Sequence, residues 1–150
     1  EKVVRRSECP VITVKSKVTA SSLKKIVFAS DFTESSKKVI KKLKVLQEMV
    51  GAEIRLVKIN TPISFETSIT SIKKIDTFIK ENQLKNVKVD VFNGNSEEEG
   101  INDFAGYINA DLIAMATHGR TGFLHLLSGS IAEDVVNSSQ RPVWTMKFKK

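Results

Sequence analysis

The chain has 150 residues, of which 41% are hydrophobic and 27% charged, with seven Gly and three Pro. This is the length of one domain. The proportions of hydrophobic, charged, Gly and Pro residues exclude collagen-like, low-complexity and strongly disordered proteins. Lys and Arg number 24 against 17 Asp and Glu, so the formal charge is +7, which favours anionic partners such as a nucleotide, a nucleic acid or an acidic lipid.

The single cysteine, Cys9, excludes an internal disulfide framework and suits a reducing compartment, so we expect a cytoplasmic protein. No apolar run reaches the ~20 residues that span a bilayer, and no signal-peptide pattern opens the sequence. The sequence begins without Met, so we expect that residue 1 is not the native start.

The two ends of the chain repeat each other. Residues 1–15 read EKVVRRSECPVITVK and residues 133–147 read EDVVNSSQRPVWTMK, with eight identities at a constant offset of 132. We interpret residues 1–15 as the helix end and last strand of a preceding unit in a tandem protein. Residues 16–23 are then a linker and residues 24–150 a complete unit. The alternative is a terminal strand that is duplicated only for pairing.

The complete unit opens with a strand and a helix. Residues 25–30 form a short apolar run that stops at Asp31. Residues 33–50 follow with apolar side chains at helical spacing, up to the stop signal Gly51. A second strand covers residues 53–60. A second amphipathic helix, ending at about residue 83, is marked by Ile69, Ile72, Ile75 and Ile79.

The second half of the unit continues the alternation. Residues 87–92 predict a third strand, and Ser96 with Glu99 forms a capping box that opens the third helix. Residues 111–116 predict a fourth strand, and its continuous apolar run after Asp111 predicts burial on both faces. A long loop over residues 117–129 follows.

The end of the unit is a helix and a strand. Ser130 and Glu133 make a second capping box, for a helix that ends at about Ser138. Residues 143–146 form the last strand. An open last strand would leave unpaired N–H and C=O groups. We expect residues 11–14 to pair with it antiparallel, in the same chain or swapped into a neighbour, rather than to form a floppy tail.

This order of elements predicts an α/β fold, namely a five-stranded, mostly parallel, Rossmann-like sheet with helices on both faces. In such sheets ligands bind beyond the carboxyl ends of the strands, where the strand order reverses. The loops after the first and fourth strands of the unit are therefore the candidate site.

The loop after the fourth strand suits an anion. Its glycines let backbone amides approach a ligand closely, and Gly129 and Ser130 lie where a helix start attracts phosphate. Arg120 adds a forked cationic donor. The alternative is an ordinary glycine-ended loop with a plain serine N-cap.

These segments resemble the universal stress protein family over almost the whole chain. The resemblance is carried by KIVFASDFT at residues 25–33, MATHGRTG at 115–122, GSIAE at 129–133 and RPV at 141–143. The family's nucleotide-binding branch has a Gly, two residues, a second Gly, nine residues, and then Gly-Ser or Gly-Thr. Here the second Gly is Gly119, and Ala116 replaces the first.

The resemblance implies a site for ATP or a related adenine nucleotide, with or without Mg. Base and ribose contacts fall on Ser30, Asp31, Ile59, Met115 and Ala116. Phosphate contacts fall on Gly119, Gly129, Ser130 and Ile131, mainly through backbone amides. Thr117 and Arg120 are further candidate phosphate neighbours. Two alternatives stay open: Asp31 caps the start of the helix, or the Ala116 methyl closes the site.

Residues for catalysis or metal binding are not apparent. His118 and His125 lack carboxylate or Cys partners at ligand spacing, and no His–Asp pair is placed to activate Ser130. No general base for ATP hydrolysis is identifiable either, so we expect a non-enzymatic protein. The resemblance implies that it acts in stress-response regulation through dimerisation or partner proteins. Weak ATP hydrolysis is the enzymatic alternative.

Family members pair through their final strands, which implies either a homodimer or a pseudo-dimer within one chain. Two other functions stay open. The first is an assembly module whose nucleotide site is impaired by Ala116. The second is a nucleic-acid-binding domain, for which the basic residues of the first helix are Lys37, Lys38, Lys41, Lys42 and Lys44. No aromatic residues for base stacking interleave with these lysines, and a solvated helix face is the ordinary interpretation.

Overall fold

The computed structural model describes residues 2–118 and 128–148. The predicted contributions of Gly119, Arg120 and His125 lie outside these residues. The strands are β1 (Val11–Thr13), β2 (Lys25–Ala29), β3 (Glu53–Asn60), β4 (Val87–Asn93), β5 (Leu112–His118) and β6 (Val143–Phe148). The α-helices are α1 (Lys2–Arg6), α2 (Glu34–Val50), α3 (Ser68–Asn82), α4 (Glu97–Tyr107) and α5 (Ser128–Ser138), and a short 3₁₀ turn, Ala20–Ser22, precedes β2.

The strands form one sheet in the order β1-β6-β5-β2-β3-β4. Every neighbouring pair is parallel except β1 and β6, which are antiparallel. The predicted mostly parallel α/β fold is therefore confirmed, and β1 adds a sixth strand to the five predicted for the unit. From β2 the chain continues to β3 and β4 on one side, and then crosses to β5 on the other side. The strand order consequently reverses between β2 and β5.

The core consists of two clusters, one on each face of the sheet. The first lies between the sheet and helices α2 and α3 and includes Phe28, Leu56 and Phe78. The second lies under α4 and α5 and includes Val57 and Ile113. Successive residues of β5 enter the two clusters alternately, so the prediction of a strand buried on both faces is confirmed.

The apolar stripe predicted for α3 is partly wrong. Ile75 is fully buried and Ile79 packs against the first cluster, but Ile69 is 69% exposed and Ile72 is 42% exposed. The face that meets the sheet carries Phe78 instead. Hydrophobic spacing identifies a helix, but the packing partners decide which side of a mixed stripe is buried.

Helix ends agree with the predicted stop signal and the first capping box. Gly51 ends α2 in the left-handed conformation, with φ 65°. Ser96 Oγ accepts a hydrogen bond from the Glu99 amide at 3.1 Å, as an N-cap does. The Glu99 carboxylate accepts from Asn95 Nδ2 at 2.8 Å, so the described hydrogen bonds include only the serine half of the predicted capping box.

Two boundaries near the predicted long loop are wrong. β5 continues through Thr117 to His118, because these residues pair with Lys147 and Phe148 of an extended β6. Helix α5 begins at Ser128, so Ser130 lies within its first turn and is not the N-cap. A Ser-x-x-Glu pattern alone does not show whether its serine is the N-cap or lies inside the first turn of the helix.

The predicted pairing at the chain ends is confirmed within one chain. The antiparallel ladder joins Val11 to Thr145, Ile12 to Trp144 and Thr13 to Val143. At the repeat offset of 132, Ile12 and Trp144 are equivalent residues, so the ladder is symmetric about them. Self-complementary pairing of this kind is the geometry of a twofold interface.

A charged anchor fixes the loop before α3. The Glu66 carboxylate accepts hydrogen bonds from Ser71 Oγ at 2.7 Å and from Lys74 Nζ at 2.8 Å. Both bonds lower the pKa of Glu66 below its ordinary value, and the bond from Lys74 has the larger effect. The folded protein therefore favours the ionised form of Glu66. This preference adds to the free energy of unfolding at pH values above the pKa that Glu66 has in the unfolded chain.

We expect Glu66→Gln to lower the free energy of unfolding at pH 7 by about 0.5–1 kcal/mol, because the ion pair with Lys74 is lost. The difference from the parent should shrink as the pH falls below the ordinary pKa of glutamate, about 4.3, and through the lowered pKa that Glu66 has in the folded protein. Urea unfolding at several pH values measures both effects. Glu48→Gln, which removes an exposed carboxylate from α2, is the matched control. A difference that stays constant as the pH falls through the acidic range would contradict the lowered pKa of Glu66.

Candidate functional site

A notch opens at the carboxyl end of β2, where the strand order reverses. β2 ends at Ala29, which pairs with Val57 of β3 and Met115 of β5. Both neighbouring strands continue beyond this point, β3 to Asn60 and β5 to His118. The backbone after Ala29 therefore lies between two longer strands, in the position where open α/β sheets bind ligands.

Four of the five predicted base and ribose residues come together around this notch, and the fifth, Ala116, faces the other side of the sheet. Ser30 and Asp31 follow β2 at its base, Ile59 lies on the β3 side, and Met115 lies on the β5 side. Ile59 and Met115 belong to the second core cluster, and Ile131 of α5 packs against that cluster. Residues from three elements thus meet on one face of the sheet.

The chain after β2 is held by a short hydrogen-bond network. Asp31 is exposed, and its Oδ1 accepts bonds from the Thr33 amide at 3.2 Å and from Thr33 Oγ1 at 2.9 Å. Ser30 Oγ accepts from the Phe32 amide at 2.9 Å and lies 2.6 Å from Ser36 Oγ. Asp31 therefore does stabilise the start of α2, as one of the two interpretations held.

Ala116 lies on the opposite side of the sheet from Met115. It pairs with Met146 in β6 and packs against the first core cluster, on the side of α2 and α3. Side chains alternate between the two faces along a strand, which explains the division. Its methyl group is thus directed away from the face that holds Ile59 and Ile131.

The start of α5 differs electrostatically from the start of α4. Gly129, Ser130 and Ile131 lie in the first turn of α5, whose N–H groups have no partner within the helix, and this turn carries no acidic residue. The first turn of α4 carries Glu97, Glu98 and Glu99. An anion at this edge of the sheet is therefore favoured at α5 and repelled at α4.

Two buried hydroxyl groups near the notch were not identified as a pair from the sequence. Thr117 in β5 and Thr145 in β6 are 6% and 2% exposed, and neither Oγ1 has a hydrogen-bond partner in the described part of the chain. Such unpaired buried groups are rare. Thr117 was a candidate phosphate neighbour, whereas Thr145 gave no signal, because threonine is an ordinary strand residue.

Two glycines that sequence reasoning missed shape the β3 side of the notch. A Cβ atom on Gly100 would lie 2.5 Å from Ile59 Cγ2, and one on Gly94 would lie 2.7 Å from the Gly100 Cα. The absent side chains let the start of α4 approach Ile59. Close approach of this kind is visible only in three dimensions.

Metal binding, the lysines of α2 and membrane-spanning helices can each be assessed in the described residues. Within residues 2–118 and 128–148, no three His, Cys, Asp or Glu side chains are placed to hold a metal ion. Lys37 forms an ion pair with Glu81 at 2.9 Å, and Lys44 Nζ donates to the Asn82 carbonyl at 3.1 Å, so both link α2 to α3. None of the described helices is long and apolar enough to cross a membrane.

A doubly wound α/β sheet with a notch at its strand reversal defines a Rossmann-like protein. The family model described as "Universal stress protein family" matches residues 22–147. The chain belongs to the universal stress protein family, as its motifs suggested.

Similar proteins come from archaea and other sources. A universal stress protein of Methanocaldococcus jannaschii is 24% identical over 155 residues, which cover 84% of this chain and 96% of that protein. The crystal structure of a universal stress protein from Archaeoglobus fulgidus has a TM-score of 0.74 at 21% identity and matches 99% of this chain. This chain spans only 53% of that one.

A third similar protein is a universal stress protein crystallised in complex with cAMP. Its TM-score is 0.66 at 16% identity, and the match covers 85% of this chain and 98% of that chain. The likeness to both structures establishes the fold.

Proposed function

We propose that this domain binds ATP or a related adenine nucleotide at the notch above β2. The domain would act in stress-response regulation through association with other units or proteins rather than through catalysis. The main support is that predicted contact residues from β2, β3, β5 and α5 converge where the strand order reverses. A relative with the same fold was crystallised with an adenine nucleotide, cAMP.

Each side of the notch would contribute a different interaction. The apolar side chains of Ile59 and Met115 would contact the base, and the Asp31 carboxylate would accept a bond from a ribose hydroxyl. The amides of Gly129 and Ser130 would donate to phosphate at the start of α5. The acidic first turn of α4 would disfavour the opposite orientation. Mg, where present, would accompany the phosphates.

Thr117 would add a donor on the phosphate side. Its buried hydroxyl lies on the face covered by α5 and has no partner among the described residues. A phosphate oxygen or an ordered water could satisfy it.

The ATP dissociation constant of the Ala116→Gly variant tests whether the methyl group closes the site. Because the methyl packs toward Met146 on the other face, we expect the variant to bind within about threefold of the parent. Titration calorimetry measures this, and Ala114→Gly, a buried position on the same strand and face, controls for added backbone freedom. Binding by Ala116→Gly but not by the parent would instead support the impaired assembly module.

We also propose that residues 1–15 are the end of a preceding unit. Besides the sequence repeat, α1 ends at Arg6 and α5 ends at Ser138, again at the offset of 132. The A. fulgidus structure matches almost the whole of this chain with about half of its own length.

Exposure of the first repeat supports the same proposal. Val3 is 65% exposed, whereas its equivalent Val135 is fully buried; Ile12 is 42% exposed, whereas its equivalent Trp144 is 3% exposed. The core of a preceding unit would cover Val3 and Ile12, just as the core of the complete unit covers Val135 and Trp144. The β1–β6 ladder would then be the interface of a pseudo-dimer within one chain.

A further inference from the structure

Phe32 has a backbone conformation that is unusual for its residue type. Its φ is 56°, in the left-handed region that crowds the Cβ atom of any residue other than glycine. The other non-glycine residues with positive φ in the described part of the chain are Gln83, Asn86 and Asn109. These carry side-chain amides, and Asn visits this region routinely. A bulky aromatic residue there needs compensating contacts.

The ring of Phe32 supplies these contacts. It is 7% exposed and packs edge-on against Phe78, with ring centroids 5.3 Å apart, and against Phe28 at 6.2 Å. The Phe32 amide donates to Ser30 Oγ at 2.9 Å. The ring is thus anchored in the first core cluster, and the backbone turn is closed by a hydrogen bond.

The turn at Phe32 determines where Asp31 lies. Phe32 is buried in the core while the adjacent Asp31 is exposed at the notch. In the part of the chain that the structure describes, hydrogen bonds reach only Oδ1 of the carboxylate, two of them from Thr33. Among the described residues no hydrogen bond reaches the second oxygen, Oδ2, so this oxygen can accept one from a ligand.

We propose that Phe32 is a positioning residue for ligand binding: its anchored ring holds the left-handed turn, and the turn holds the Asp31 carboxylate at the notch. Phe32 itself does not contact the ligand. The inference rests on the proposed function, in which Asp31 binds the nucleoside. Because Phe78 belongs to α3, the anchor also connects the notch to that helix.

Two substitutions separate positioning from packing. Phe32→Leu loses the ring anchor and still resists the left-handed turn, so Asp31 should move and ATP binding should weaken about tenfold, as for one lost bond to a charged group. Phe32→Gly loses the anchor as well but adopts positive φ freely, so it should bind within about threefold of the parent. A packing role predicts the reverse order, because glycine removes more apolar surface than leucine.

Calorimetry with ATP and hydrogen exchange of the residue 32 amide in ligand-free protein provide the readouts. The amide should be protected in the parent and in Phe32→Gly, and should exchange faster in Phe32→Leu. Ile75→Val, in the same cluster but outside the aromatic contacts, is the control and should change neither. Tighter binding by Phe32→Leu than by Phe32→Gly, or equal amide exchange in both, overturns the inference.

Two further outcomes are decisive. A parent protein that does not bind ATP overturns the proposed function, while the exchange order still tests the turn on its own. If Phe32→Gly does not fold, the one-bond Cα–Hα coupling of Phe32 in the parent reports the sign of φ by NMR. A positive φ supports the turn, and a negative φ overturns the inference.

Discussion

Removal of residues 1–15 should convert the chain into a homodimer. β1 covers the edge of β6 with a ladder that is symmetric about Ile12 and Trp144. Without β1, the β6 strand of a second copy can take the same position in the same register, with Trp144 opposite Trp144. Light scattering after size-exclusion chromatography should then give twice the mass of one shortened chain.

The shortened chain should also be less stable when it is dilute enough to be monomeric. The loss of the β1 ladder should lower the free energy of unfolding by about 2–3 kcal/mol, from a few backbone hydrogen bonds. Removal of residues 1–9 alone is the matched control, because it leaves β1 (Val11–Thr13) in place and should leave the mass monomeric. A monomer of unchanged stability after removal of residues 1–15 would contradict the pseudo-dimer.

Alanine substitutions at Gly94 and Gly106 should have opposite effects on stability. A Cβ atom on Gly94 would meet backbone atoms, the Gly100 Cα at 2.7 Å and the Ser96 carbonyl oxygen at 2.8 Å. Backbone cannot yield as a flexible side chain does, so Gly94→Ala should lower the free energy of unfolding by about 3 kcal/mol.

Gly106 lies within α4, and a Cβ atom there would meet nothing within 4 Å. Gly106→Ala should therefore raise the free energy of unfolding by about 0.5–1 kcal/mol, because alanine favours the helix and restricts the unfolded chain. Urea unfolding of both variants measures the contrast. A neutral Gly94→Ala would show that the start of α4 does not approach the backbone at Gly94 this closely.

The sequence predicted the elements that are defined by local signals. The bounds of β3 and the end of α2 at Gly51 follow from apolar runs and a residue suited to positive φ. The location of the candidate site at the carboxyl ends of the strands was predicted from the order of the elements, because parallel strands all end at the same edge of the sheet. The repeat and the open edge of the last strand predicted the pairing of β1 with β6.

The features that the sequence did not reveal depend on contacts between distant segments. β5 extends to His118 because β6 provides partners, and Ile69 is exposed because Phe78 takes the buried face of α3. The left-handed turn at Phe32 depends on an aromatic contact with a residue 46 positions away. The roles of individual site residues came from family resemblance, which spacing alone could not supply.

Titration calorimetry of the unmodified chain with ATP is the most direct test of nucleotide binding at the notch. Asp31→Ala and Glu48→Ala serve as the matched pair, one carboxylate at the notch and one exposed on α2. We expect saturable binding by the parent and by Glu48→Ala, and binding weakened about tenfold or more by Asp31→Ala. No heat of binding with ATP or AMP, together with no nucleotide in the purified protein, would contradict the proposal.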